Sequence, residues 1–249
     1  MKCQKLVDLT ITHSSLRLKY LEVNDCLLLR RVMIYAVNLV AFLYTGPMIV
    51  FLFENVPKLQ IIATGIKGIT DSIFHLLTGL ANDVPQLKDL SLWLHVKAGF
   101  ILERLPLFAN LKKLHIATAP KEDDLHWIIA LLKSCPLLTY FQLHLLSVQA
   151  YEKEPKEIRK PQKCPHDHLK NVVIRGFCGS QNEIEFATYV LQNATSLETM
   201  LIHLQACCYQ DGKSNHREAG EGTSATITAD RIFEQLQAEA PPHVKIMVL

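Results

Sequence analysis

The residues able to do chemistry gather most tightly at Cys164-Pro165-His166-Asp167-His168, with Cys178 ten residues further on. Thiolate and imidazole are the usual ligands of zinc, so a metal site has to be weighed here first. The spacing lacks two well-separated ligand pairs, and His166 and His168 share a side only if the segment is extended. Neither a metal nor any other cofactor is expected. The vicinal pair Cys207-Cys208 stands in a polar stretch and reads as inert. No phosphate-cradling Gly-rich loop, no H-E-x-x-H and no G-x-S-x-G occurs, so catalysis is not expected either.

The remaining bulk properties describe a scaffold. A chain of 249 residues with 49% apolar content can fill a continuous core, and 26 basic against 24 acidic residues leave no global field to attract nucleic acid or an anionic membrane. Seven cysteines without pattern, behind a start that is no signal peptide, fit reduced thiols in the cytoplasm or nucleus. Residues 32–53 carry no charge and are long enough to cross a bilayer. Their β-branched and aromatic content, and the break at Gly46-Pro47, favour buried strands instead.

Those strands announce themselves by spacing. Apolar residues recur on a 1, 4, 6 pattern at Leu6/Leu9/Ile11, Leu18/Leu21/Val23, Leu29/Val32/Ile34, Leu39/Phe42/Tyr44 and Leu59/Ile62/Thr64. Steps of 10 to 12 residues leave no room for a helix, so tight returns are expected, with a longer connection across Gly46-Pro47. From residue 70 the intervals lengthen, to Leu87/Leu90/Leu92, Leu111/Leu114/Ile116, Leu138/Phe141/Leu143, Leu169/Val172/Ile174 and Leu197/Met200/Ile202. Helices capped by Asp71 and Asp123 fit two of the intervals. Two polar loops, 151–163 and 207–227, interrupt the array. A last helix from about Thr228, packing through Ile232, Phe233 and Leu236, and the closing strand VKIMVL then cap the sheet. Of the ninth positions, where regular repeats carry Asn or Cys, only the one at Cys26 conforms.

Residues 164–202 hold one complete unit of strand, loop, helix and strand. Asn182 and Glu185 fit a capping box, and Ile184, Ala187, Val190, Leu191 and Ala194 line one helical face. The run HLKNVVIRGFCGSQNEIEFATYVLQNATSLETMLI resembles the FBD motif of plant F-box/leucine-rich-repeat proteins, through its apolar strand, Gly-Phe-x-Gly turn, E-x-E helix start and Asn-Ala before a second strand. The resemblance implies an α/β leucine-rich-repeat solenoid with one curved parallel sheet and helices on the convex side, mainly in the C-terminal two thirds. Residues 1–163 would form its irregular repeats, and 164–249 the FBD-like repeats with the capping helix and strand. Family members select substrates for cullin-type (SCF) ubiquitin ligases.

Positions 4 and 6 of each strand point into the core, so positions 3, 5 and 7 point outward, to the concave face. At position 7 stand Trp93, His144, Arg175 and His203, in a row broken by Ala117, with Tyr140 and His115 beside them. Aromatic and Arg side chains anchor protein interfaces, so these six are the candidate partner-binding residues. A protein partner is expected on that face, with neither nucleic acid nor membrane. The function expected is non-catalytic substrate recognition. The alternative is the sensing repeat region of an immune-receptor type protein. Because this chain shows no F-box, it is expected not to bind the ligase's Skp-type adaptor; a stoichiometric complex in a pulldown with purified adaptor would overturn that expectation.

Overall fold

The computed structural model describes residues 3, 5–12, 17–70, 73–96, 105–119, 125–146, 164–205 and 221–249. In chain order the strands are β1 (Asp8–Thr12), β2 (Tyr20–Asn24), β3 (Arg31–Tyr35), β4 (Ala41–Gly46), β5 (Val50–Glu54), β6 (Ile61–Thr70), β7 (Asp89–Val96), β8 (Lys113–Thr118), β9 (Tyr140–Leu145), β10 (Asn171–Phe177), β11 (Thr199–Leu204) and β12 (Lys245–Val248). Among the described residues four helices are interspersed: α1 (Ile73–Asp83), α2 (His126–Lys133), α3 (Gln181–Asn193) and α4 (Glu221–Glu239). All pairings are parallel. The strands form two sheets, one of nine strands in the order β12-β11-β10-β9-β8-β7-β6-β4-β2 and one of three in the order β1-β3-β5.

The same turn leads into strand after strand. The leucine at position 1 donates its N–H to the carbonyl three residues earlier, as in Leu59 to Val56, Leu87 to Val84, Leu138 to Cys135, Leu169 to His166 and Leu197 to Ala194, at 3.0–3.2 Å. Each of those accepting residues is itself buried, so the turn is pinned by apolar contact at both ends. Proline follows at Pro57, Pro85 and Pro136, where its fixed φ suits the second position of such a turn. One residue beyond the leucine, a single carbonyl accepts two N–H groups from the next rung: Gln60 from Lys88 and Asp89, Lys88 from Lys112 and Lys113, Lys112 from Thr139 and Tyr140. A carbonyl has two lone pairs, and both are satisfied here. Backbone bonding thus fixes the stacking without the side-chain asparagine ladder of regular repeats. Cys26 alone takes the asparagine-like part, accepting from the Cys3 N–H at 3.3 Å and lying 3.6 Å from the Asn24 carbonyl.

The single-sheet expectation fails in the first 70 residues. Successive short strands alternate between the two sheets, so Tyr20 pairs with Ala41 and Ala41 with Ile61 in one, while Asp8 pairs with Arg31 and Arg31 with Val50 in the other. Each step of 10 to 12 residues is therefore half a turn of chain, and the true repeat is about twice as long. The physical reason is burial. A strand presenting two apolar residues inward needs a second layer, and where no helix supplies it another strand must. Phe42 of the large sheet meets Phe51 and Phe53 of the small one edge-on at 5.6 and 5.5 Å, and Tyr44 meets Phe51 at 5.1 Å. β5 was not expected, since the segment after Gly46-Pro47 reads as a connection. Here Tyr44 Oη donates to the Pro47 carbonyl at 2.7 Å and closes the turn. The uncharged run 32–53 is thus three strands in two layers, and among the described residues no helix is long and apolar enough to cross a membrane.

From β6 onward helices occur between strands. α1 buries Ile73, Leu76, Leu77 and Leu80 and packs against β5. α2 buries Trp127, Ile128, Ile129, Leu131 and Leu132, with no side-chain cap at Leu125. The expected caps Asp71 and Asp123 lie outside the described residues, as does the loop 151–163. α3 starts earlier than expected: the capping box is Ser180 with Glu183, not Asn182 with Glu185. The Glu183 carboxylate reaches back to the N–H groups of Cys178 and Ser180 at 2.8 and 3.2 Å, which ties the preceding loop to the helix start. α3 does bury Ala187, Val190 and Leu191, with Ala194 just beyond it, but Phe186 and Tyr189 carry the face that was assigned to Ile184. α4 takes in residues 221–227 of the expected loop 207–227, of which 207–220 lie outside the described residues. It buries Ile232 and Leu236 but leaves Phe233 exposed, and it packs on α3 and β12. As expected, the closing strand β12 pairs with β11.

The Gly-Phe-x-Gly turn needs its first glycine. Gly176 has φ +74°, and a Cβ there would stand 2.1 Å from the Leu145 carbonyl oxygen of the adjacent rung. Gly79, inside α1, has nothing within 4 Å of the equivalent position. Gly176→Ala is expected to lower the unfolding free energy by at least about 2 kcal/mol in urea titration. Gly79→Ala in the same assay should raise it by about 0.5–1 kcal/mol through helix propensity.

Candidate partner-binding face

The alternation of burial along the large sheet separates two kinds of position. In β9, Phe141, Leu143 and Leu145 are buried while Tyr140 and Gln142 are half-buried and His144 is exposed. In β10, Val172 and Ile174 are buried, and Arg175 is exposed. Register then aligns the outward residues laterally: Gly65 beside Trp93, Trp93 beside Ala117, Ala117 beside His144, His144 beside Arg175, and Arg175 beside His203. The position-7 row expected from sequence is therefore one row of neighbours. His115 and Tyr140 occupy the two rows next to it, with Ser91, His115, Gln142, Val173 and Leu201 in one and Asp89, Lys113, Tyr140, Asn171 and Thr199 in the other.

Contacts within the face preorganise its middle. The Tyr140 ring lies 5.3 Å from the His115 ring, and its hydroxyl donates to Gln142 Oε1 at 3.0 Å. His115 Nε2 is 3.8 Å from Asp89 Oδ1, and Thr199 Oγ1 donates to Asn171 Oδ1 at 2.7 Å. Such contacts narrow the rotamers open to the side chains that make them. Trp93 stands apart from this network and is 65% exposed. Sequence reading missed the other half of the face. Tyr20, Leu43 and Ile61 are outward and exposed on β2, β4 and β6, alongside the small residues Ala41, Ala63 and Gly65. Counting outward positions in the early copies, as in the later ones, would have found them.

The Cys/His tract resolves into packing. His166 is the buried turn residue before β10, in the place that Val84 or Cys135 fills in other rungs, while His168 is exposed, so the two rings part. Its Nε2 lies 3.1 Å from Tyr189 Oη, and its N–H donates to the Asn193 carbonyl at 2.8 Å. The Asn193 side chain in turn accepts from the Cys164 N–H at 3.0 Å and donates to the Tyr189 carbonyl at 2.8 Å. This network joins the end of α3 to the start of β10. Cys3, Cys26, Cys135 and Cys164 form no disulfide.

A family model described as At1g61320/AtMIF1, LRR domain, matches residues 1–246. The chain belongs to that leucine-rich-repeat family. Two curated proteins of Arabidopsis thaliana are similar to parts of it. The FBD-associated F-box protein At5g22730 is 31% identical over 111 residues, covering 43% of this chain and 23% of that protein. The putative F-box/FBD/LRR-repeat protein At4g03220 is 26% identical over 155 residues, covering 55% and 31% respectively. The chain therefore spans under a third of the length of either relative. No solved structure matches. The resemblance to plant F-box/leucine-rich-repeat proteins holds, and with it the assignment to a leucine-rich-repeat interaction module.

Burial of His166 has a measurable consequence. Desolvation, with a smaller contribution from the Lys133 charge, pushes its pKa down from 6.5 to about 4, against a weaker opposing pull from Asp167. The unfolded chain takes up this proton below pH 6.5 and the folded chain does not until about pH 4. Stability is therefore full above 6.5 and falls as pH drops toward 4, by about 3 kcal/mol in all. His166→Gln, which keeps an acceptor for Tyr189, should flatten that part of the stability profile in urea titrations between pH 4 and 7.

Proposed function

We propose that this chain is a non-catalytic protein-binding module, its repeats stacked as a solenoid, that acts as the substrate-recognition part of an F-box type ubiquitin-ligase subunit. The partner lies across the outward face of the nine-stranded sheet, on Trp93, His115, Tyr140, His144, Arg175 and His203. The observation that carries this reading is the lateral alignment of Trp93, His144, Arg175 and His203 in one row, with Trp93 exposed and independent of the polar network beside it. An exposed Trp is costly in water and is the residue type most often found at binding hot spots. The names of the two relatives, an FBD-associated F-box protein and a putative F-box/FBD/LRR-repeat protein, support the ligase context. Cys3, Cys26, Cys135 and Cys164, which form no disulfide, support the cytoplasm or nucleus as its compartment.

Replacing Trp93, Tyr140 and Arg175 together by alanine should reduce partner capture from plant extract at least tenfold by quantitative mass spectrometry, while the urea midpoint stays within error of the parent. Retained capture would remove this face from consideration.

A further inference from the structure

The outward face is divided by chemistry along its length. On β2 to β7 it presents Tyr20, Leu43, Ile61 and Trp93, of which Tyr20 and Trp93 are 68% and 65% exposed. The small residues between them, Ala41, Ala63 and Gly65, leave that half shallow, and its charges are Glu22 at its edge, Asp89 at its border with the other half, and the ion pair of Lys67 with Asp25 beyond Gly65 on β6. On β8 to β12 the outward positions carry Lys113, Arg175 and Lys245, interspersed with His115, His144 and His203, and no Asp or Glu stands among them. Lys113, His144, Arg175 and Lys245 are exposed. Contiguous exposed apolar surface beside polar surface marks an interaction site, and a cationic strip without its own carboxylates selects an anionic partner.

Resting on the reading of this face as the partner surface, we propose that its occupant is an extended polypeptide segment with aromatic or aliphatic residues in one half and Asp or Glu residues in the other. The apolar half seats against Tyr20, Leu43, Ile61 and Trp93, and the acidic half against Lys113, Arg175 and Lys245. Nine strands spaced about 4.8 Å apart span about 38 Å. An extended chain advances about 3.3 Å per residue, so about 12 residues cover the face. The segment crosses the strands and leaves their edges unpaired, so side chains rather than backbone bonds set its specificity.

The test is a displayed random dodecapeptide library selected on the full chain and counter-selected on the chain with Trp93, Tyr140 and Arg175 replaced by alanine. Face-dependent peptides should combine an acidic half with an aromatic or aliphatic half. A synthetic representative should lose at least tenfold in affinity on Arg175→Glu, and likewise on Leu43→Ser or Trp93→Ser, with all three variants folded by urea titration. Its binding to the parent chain should also weaken as NaCl rises from 50 to 300 mM. Face-dependent peptides that are neutral or basic would overturn this inference and leave the partner face standing. Peptides indifferent to the triple replacement would sink both. Displacement of the representative by an equal concentration of oligo(dT) would overturn it in favour of a nucleic-acid strand.

Discussion

One constraint governs the structure: a chain that stacks strands in parallel must satisfy every backbone group where it turns to begin the next one. Here the same device meets it at successive rungs. The leucine N–H closes a turn onto a buried residue three positions earlier, and the next carbonyl accepts two N–H groups from the following rung. Lys19, Val40, Gln60, Lys88, Lys112, Thr139 and Lys170 all accept in this way. The accepting group is a backbone carbonyl whatever the side chain, which explains how rungs so unlike in sequence still stack in register. An unpaired buried carbonyl or amide would cost more than most single side chains contribute.

That device also explains what was legible in the sequence. The 1, 4, 6 spacing located ten of the strands because positions 4 and 6 are the buried ones and position 1 closes the turn. It also gave the outward positions, and so the lateral row from Trp93 to His203. It could not say which sheet a strand joins, because β1 and β2 carry the same local pattern and differ only in what lies opposite them. β5 went unseen because its position-1 residue is Met48 rather than leucine, although Met48, Phe51 and Phe53 keep the spacing. The α3 cap was misplaced by two residues because Ser180-Gln-Asn-Glu183 and Asn182-Glu-Ile-Glu185 both satisfy the capping pattern. The buried Glu183 decided between them, through its bonds to the Cys178 and Ser180 N–H groups.

His166 of the Cys/His tract is held by packing for a related reason. His166 fills the core end of an entry turn, where a nonpolar residue is usual, and it is tolerated because Tyr189 supplies a hydroxyl at 3.1 Å. A polar group on a buried position needs such a partner. On the sheet face the inward half of each strand is fixed by packing, whereas the outward half is free to vary, so binding character can change without disturbing the rungs beneath.

The pairing order carries a last consequence, for synthesis. Up to β11, each strand of the nine-stranded sheet bonds to a predecessor at most some thirty residues back, so rungs can lay down on one another as the nascent chain leaves the ribosome. β12 is different, because it returns to β11 only after α4 has been made. Closing that longer loop costs only about 0.4 kcal/mol more than a regular rung, by the logarithmic dependence of closure entropy on length. The delay is one of timing, since β12 can pair with β11 only once the residues of α4 have been made.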